Sequence, residues 1–195
     1  MGFRNTVTTW GWPSKLLHWV MAILIVGLLG MGTYMTKLEL GLERLELTQI
    51  HKSFGFVVFV LACIRLVWRW LTPAGPALPE SGRPWERFAS QFTHLALYVL
   101  MFALPLTGWL MASASPFNDP DAYIYIPNMV FGQFEMPDPI SPGDPDLAKT
   151  LKQVHLYAGY ALAALLVLHV AAALKHHFIH RDSVLTRMLP FGRSR

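Results

Sequence analysis

The chain has 195 residues, of which 53% are hydrophobic and only 14% are charged. Globular chains carry about 25% charged residues, so this composition excludes an ordinary soluble domain and indicates a protein that lies in lipid. The net charge of +4 comes from basic residues beside apolar segments, not from a basic helix, which argues against nucleic-acid binding. The single cysteine, Cys63, permits no internal disulfide and is interpreted as a packing residue.

Four apolar stretches are long enough to cross a bilayer, which requires about 20 residues per helix. They predict an all-α, integral membrane four-helix bundle, with the whole chain, residues 1–195, forming a single domain. The predicted spans lie near residues 15–36, 50–71, 88–113 and 151–177. The first span is long and no small-residue cleavage site follows Tyr34, so it is expected to be retained. Arg65 and Arg69 are expected to extend to the membrane interface.

The distribution of basic residues predicts that both termini lie in the cytoplasm. Of the 16 Lys and Arg residues, eleven fall on the side of the termini and five on the other side. Nine acidic residues accompany those five, so the outer side is net negative. The five outer basic residues are Lys37, Arg44, Lys52, Lys149 and Lys152.

Between the third and fourth spans lies a proline-rich segment, roughly residues 114–149, which the charge distribution places on the outer side, opposite the cytoplasm. Proline fixes φ and removes a hydrogen-bond donor, so the segment is predicted not to be helical. Its aromatic residues suit either a folded cap with a surface for a partner, or a flexible loop whose rings seek the interface. The sequence leaves both possibilities open. The aromatic residues are Phe117, Tyr123, Tyr125, Phe131 and Phe134.

Five histidines lie in or at the ends of the predicted spans, where ionisable groups are costly and usually functional. They are His18, His51, His94, His155 and His169. One such histidine is readily explained as a hydrogen-bonding residue between helices. That explanation is much weaker for five.

The alternating direction of the spans sorts these histidines by depth. His155 and His169 are fourteen residues apart, which is close to four helical turns and about 21 Å. The fourth span therefore presents two histidines at two depths on one face. His51 is expected to pair with His155 near the outer side, and His18 with His169 near the cytoplasmic side.

Paired imidazoles from different helices favour haem as the bound group. Zinc usually takes four protein ligands, whereas haem needs only two axial ligands because its porphyrin supplies four nitrogens. A small residue stands four positions after each proposed ligand, where it would leave room for a flat macrocycle. These small residues are Ala22, Gly55, Gly159 and Ala173. His94 has Tyr98 at that position, so His94 is interpreted as an accessory group.

Several motifs resemble the bacterial cytochrome b561 family over nearly the whole chain. They are Leu17-His18-Trp19, Ile50-His51 followed by Gly55, Arg65-Leu66, His94 through Tyr98, Leu104 through Gly108, His155 with Gly159-Tyr160, Leu168 through His177, and Arg187 through Pro190. The run from Leu168 to His177 is the most specific of them.

The resemblance implies a di-haem b-type cytochrome of the bacterial inner membrane, with ubiquinone as a redox partner at the cytoplasmic side. By position, His176 looks like the family's quinone-contacting histidine. Some members are similar in outline and oxidise superoxide at the periplasmic face. In this chain, Lys52, Lys149 and Lys152 would then attract the superoxide anion, although the negative outer surface leaves a donor protein as the other candidate.

Two other functions remain open from the sequence. The chain could be the cytochrome b anchor subunit of a dehydrogenase or hydrogenase complex. It could also be a haem-free membrane carrier that uses histidines along a path, although such relays often need carboxylates and none lies within the spans.

Thr107, Ser53 and Gln153 are candidate hydrogen-bond partners of the haem ligands.

Overall fold

The computed structural model describes residues 2–77, 84–121, 123–140 and 143–190. Within these ranges four long α-helices form: α1 (Trp12–Met35), α2 (Leu42–Leu71), α3 (Pro84–Ser113) and α4 (Pro145–Lys175). Each is long and apolar enough to cross a membrane, α4 together with the turn that follows it. The predicted all-α, four-helix membrane bundle is confirmed. Of the residues that predict the orientation, Glu80, Arg83, Arg193 and Arg195 lie outside the described residues.

The helices begin earlier than the predicted spans, because hydropathy marks only the part of a helix that crosses hydrocarbon. Helix α2 starts at Leu42 and α4 starts at Pro145. The prediction that residues 145–149 are not helical is wrong. Proline is tolerated in the first turn, where its missing N–H would have had no helical partner, and Asp144 Oδ1 caps this turn by accepting the N–H of Leu147 at 2.9 Å.

The chain divides into two compact units, and each contains a segment of all four helices. The first unit comprises Met1–Ile23, Leu61–Val99 and Leu162–Arg195; the second comprises Leu24–Val60 and Leu100–Ala161. In the first unit, the segment after α4 is tied to α1. Lys15 Nζ donates to the carbonyl oxygen of Leu189 at 3.1 Å, and Trp19 Nε1 donates to that of Met188 at 3.0 Å.

In the second unit, the segment between α3 and α4 has a fold of its own. It contains a 3₁₀ turn (Pro116–Asn118) and an antiparallel hairpin of β1 (Met129–Val130) and β2 (Phe134–Glu135). Residues 131–133 connect the strands. Phe131 and Gly132 have positive φ of 47° and 67°, as both central positions of a type I′ turn require, and Gln133 N–H closes this turn on the carbonyl oxygen of Val130 at 3.0 Å. The described part of this segment is therefore a folded cap. We call residues 114–140 the cap.

The cap is fastened to α2 by hydrogen bonds. Ser53, which is 1% exposed, accepts the N–H of Phe131 through Oγ at 2.8 Å. Lys52 Nζ donates to Asn128 Oδ1 at 2.9 Å, and Gln49 Nε2 donates to the carbonyl oxygen of Pro127 at 3.2 Å. These contacts lie along one stretch of α2, so the helix fixes the base of the hairpin.

Two amides and one carboxylate form the polar interior of the cap. Asp138 accepts from Asn118 Nδ2 at 2.6 Å and from Asn128 Nδ2 at 2.8 Å. Both asparagines are buried, and buried polar groups stabilise a fold only when they are paired. At the cap surface, Tyr125 donates to Glu135, and this hydrogen bond raises the pKa of the Tyr125 phenol.

We expect Ser53→Ala to loosen the cap, because it leaves the N–H of Phe131 without its partner. Because Phe131 is 49% exposed and this hydrogen bond is partly buried, its loss should cost about 0.5–1.5 kcal/mol. Hydrogen exchange of residues 114–140 should become faster in the detergent-solubilised chain. Thr150→Ala is the matched control, since Thr150 Oγ1 bonds only to the backbone of its own helix, at Asp146. Equal exchange in both variants would contradict the fastening role of Ser53.

Candidate functional site

The structure brings together the two histidine pairs that the sequence predicts. The ring centroids of His18 and His169 are 6.2 Å apart in the first unit. Those of His51 and His155 are 6.3 Å apart in the second unit. All four side chains are half-buried, and each pair joins α4 to a different helix.

These separations suit two axial ligands of one metal ion. A metal–imidazole bond of about 2.0 Å on each side, with about 1.1 Å from each nitrogen to its ring centre, gives centroids about 6.2 Å apart. Within the described ranges, no group of three or more His, Cys, Asp or Glu side chains is placed to hold a metal ion. A metal at either pair would therefore need most of its ligands from another source, as haem provides.

The hydrogen bonds of His155 fix its tautomer. Its Nδ1 lies 3.1 Å from the carbonyl oxygen of Leu104 and 3.1 Å from Thr107 Oγ1. Because a carbonyl oxygen can only accept, Nδ1 carries the proton and Nε2 keeps its lone pair. Such a backbone partner orients a metal-binding imidazole and raises its basicity. Thr107 thus lies beside a predicted ligand, as the sequence suggested.

Glycines pack closely against the imidazoles of the second-unit pair. A Cβ atom built on Gly108 would lie 3.2 Å from His155 Cε1, and one built on Gly32 would lie 3.4 Å from His51 Cε1. At Gly55 and Gly159, by contrast, a Cβ would meet nothing within 4 Å. Space is therefore open beside the two predicted small residues, which fits a flat group next to the rings.

His51 differs from His155 at its second nitrogen. Its Nδ1 is buried and has no hydrogen-bond partner among the described residues. A buried polar atom without a partner in a membrane span is costly. The atom is the kind of group that a bound polar ligand or an ordered water would satisfy.

In the first unit, His18 faces a cation. Arg65 Nη1 and Nη2 lie 3.4 and 3.3 Å from His18 Nδ1, and Arg65 Nε donates to the hydroxyl of Tyr98 at 3.3 Å. The sequence predicts that Arg65 extends to the membrane interface. In the structure, its guanidinium contacts His18 and Tyr98 instead. Arg69 is exposed, and its guanidinium lies 5.8 Å from the ring centroid of Tyr98.

His94 lies beside the first-unit pair. Its Nδ1 lies 2.6 Å from the carbonyl oxygen of Ser90, so this nitrogen carries the proton. Its ring centroid is 5.3 Å from that of His169, with the planes at 89°. This distance is shorter than the value calculated above for two imidazoles on opposite sides of one metal ion, so the geometry suits the accessory position expected for His94.

His176 lies in the π-helical turn His176–His180 that follows α4. Its Nδ1 is 2.5 Å from Asp182 Oδ2. Asp182 reaches this position because Arg181 adopts a left-handed conformation (φ 53°) that ends the turn. With Nδ1 bound to the carboxylate, Nε2 of His176 is the nitrogen left for a further partner.

The three predicted steering lysines have different surroundings. Lys52 bonds to the cap through Asn128, whereas Lys149 and Lys152 are exposed on α4 and have no hydrogen bond or ion pair within the described part of the chain. Ser53 bonds to the cap and to its own helix, and Gln153 is exposed. Ala22 and Ala173 are half-buried on their helices.

Sequence reasoning missed the roles of Gly32, Gly108 and Arg65. Gly32 lies on α1 but packs against a histidine of α2, and no local pattern predicts a contact between helices. Gly108 and Arg65 both belong to motifs that carry the family resemblance. For Arg65 the sequence contains a signal, because a charged residue inside an apolar span needs a partner within the protein.

Known proteins similar to this chain were found by two comparisons. A family profile described as prokaryotic cytochrome b561 matches residues 9–191. Cytochrome b561 homolog 2 of Escherichia coli (strain K12) is 34% identical over 193 residues, which cover 97% of this chain and 95% of that protein. The protein named "Probable superoxide oxidase CybB" of Yersinia pestis is 28% identical over 72% of this chain and 73% of its own length.

We expect Gly108→Ala to disturb the second-unit pair, because the new methyl group would press on the imidazole of His155. The displaced ring would lose its bonds to Leu104 and Thr107, so thermal unfolding of the purified chain should begin at a lower temperature. The matched control is Gly159→Ala, where the added methyl group enters open space. If both variants unfold like the parent chain, the packing of Gly108 against His155 is not required.

Proposed function

Since the chain belongs to the prokaryotic cytochrome b561 family, we propose that it carries electrons across the bacterial inner membrane by means of two b-type haems. His18 and His169 would hold one haem, and His51 and His155 the other. The observation that supports this proposal is the ring separation of 6.2 and 6.3 Å in the two pairs. Haem, when bound, supplies reversible one-electron chemistry.

The protein's own contribution is to hold and orient the imidazoles and to exclude water. Leu104 keeps the proton of His155 on Nδ1, with Thr107 beside it, which leaves the lone pair of Nε2 for a metal ion. Gly55 and Gly159 leave open space beside the helices that carry His51 and His155. The apolar spans around both pairs provide a low dielectric, in which the axial ligands and nearby charges set the reduction potential.

We further propose that both termini lie in the cytoplasm and that ubiquinone accepts the electrons there, next to His176. Asp182 holds Nδ1 of His176, so Nε2 can bond to a quinone oxygen. The His176–Asp182 pair, which we call the dyad, can then pass a proton to the quinone. Reduction of one quinone to quinol consumes two electrons and two protons.

The proposed electron donor is superoxide, which the name of the Yersinia pestis relative suggests. Two superoxide anions give up two electrons and leave as two molecules of oxygen, which balances one quinone reduction. Of the three predicted steering lysines, Lys149 and Lys152 are the exposed ones and would attract the anion. A cytochrome b anchor subunit has the same helices and histidine pairs, and co-purification of a dehydrogenase or hydrogenase would favour that function instead.

We expect the detergent-purified chain to contain two b-type haems per polypeptide. The measurement is a dithionite-reduced minus oxidised spectrum with haem quantified by extraction. His51→Ala and His155→Ala should each lose the same haem, and His18→Ala and His169→Ala should each lose the other. His94→Ala is the control and should keep both. A folded parent chain that binds no haem when supplied with it would contradict the proposal.

We expect Asp182→Asn to slow the reduction of ubiquinone by at least about tenfold, because an amide neither holds the imidazole of His176 in the same way nor accepts its proton. The rate is measured with chemically reduced protein and a soluble ubiquinone analogue. His177→Gln is the matched control, since this neighbouring ring packs against Phe178. Equal rates in the two variants would remove the dyad from the proposal.

A further inference from the structure

Arg65 is a cation within a membrane span that has no carboxylate partner among the residues that the structure describes. Its guanidinium is held only by His18 Nδ1, by the hydroxyl of Tyr98, and by the face of the Tyr98 ring at 5.8 Å. A guanidinium in low dielectric is costly unless a counter-charge lies close to it. The observed contacts supply hydrogen bonding but no negative charge.

The contact with His18 is also incompatible with metal binding by this histidine. Arginine can only donate, so Nδ1 of His18 must accept and the ring proton must lie on Nε2. If a metal binds Nε2, the neutral ring carries its proton on Nδ1 and repels the arginine donors. If a metal binds Nδ1 instead, the lone pair that the arginine uses is consumed. In both cases the guanidinium has to leave His18.

We propose that Arg65 moves from His18 Nδ1 onto a propionate carboxylate of the haem held by His18 and His169. This inference rests on the proposed function. The two propionates of b-type haem are the only anionic groups that the macrocycle brings, and a planar guanidinium binds a carboxylate through two parallel hydrogen bonds. The hydroxyl of Tyr98, which accepts from Arg65 Nε at 3.3 Å, can keep its bond while Nη1 and Nη2 leave His18.

Neutralisation of a propionate by Arg65 favours the reduced haem, because the guanidinium offsets negative charge close to the iron. We expect Arg65→Gln to lower the equilibrium constant for reduction of this haem about tenfold, which is 59 mV for a one-electron couple. The haem is identified by its loss in His169→Ala, and its midpoint potential is measured by redox titration of the purified chain. Arg65→Lys keeps the positive charge and should therefore retain most of the parent chain's midpoint potential. Arg65→Met is the test variant if Arg65→Gln does not fold.

Arg69→Gln is the matched control. This arginine lies one turn further along α2 and faces the same Tyr98 ring, but it is exposed. Its removal should change the reduction equilibrium less than threefold. A wild-type chain without haem would overturn the proposed function. A wild-type chain with two haems, in which Arg65→Gln behaves like Arg69→Gln, would overturn only the role of Arg65.

A second measurement separates a bond to the propionate from simple support of His18. Haem-depleted protein is titrated with haem and with haem dimethyl ester, whose propionates are uncharged. We expect Arg65→Gln to weaken binding of haem about tenfold or more relative to the parent chain, and to leave binding of the ester within about twofold. If the variant weakens both to the same extent, Arg65 acts on His18 and the proposal is wrong.

Discussion

Every polar group inside a hydrocarbon layer needs a partner within the protein, and the arrangement of this chain follows from that constraint. The helices satisfy most of their own backbone, and the histidines and Arg65 are among the polar side chains that then need a partner. His155 and His94 each bond to a backbone carbonyl, and His18 bonds to Arg65. The carbonyl contacts leave Nε2 of His155 and of His94 with a free lone pair, whereas His18 gains an available nitrogen only when Arg65 releases it.

The buried polar groups of the cap in the second unit also need partners within the protein. Its backbone cannot complete a large sheet, because only two short strands form. Side chains therefore take over: Ser53 and Lys52 of α2 bond to the hairpin and its base, and Asp138 binds two buried amides. A lysine used in this way is anchored by its hydrogen bond, so Lys149 and Lys152 are better candidates for attracting an anion.

Hydropathy, charge and histidine spacing were enough to predict the four helices and both histidine pairs, because these depend on local composition and on helical periodicity. Contacts between helices were beyond such reasoning. The approach of Gly32 to His51 depends on how α1 packs against α2, and the bond between Arg65 and His18 depends on rotamers that spacing does not specify. The helical start at Pro145 was missed because proline disrupts the interior of a helix but is favoured in its first turn.

The two histidine pairs differ in the electrostatics that they offer to a bound haem. A carbonyl oxygen that accepts from Nδ1 of His155 makes this ligand more electron-donating, which stabilises the oxidised iron. In the proposed contact with a propionate, the Arg65 guanidinium would stabilise the reduced iron of the first-unit pair. Electrons would then move downhill from the His51–His155 pair toward the His18–His169 pair. His176 follows His169 by seven residues, about two turns of the same helix, so this gradient points toward the proposed quinone site and not away from it.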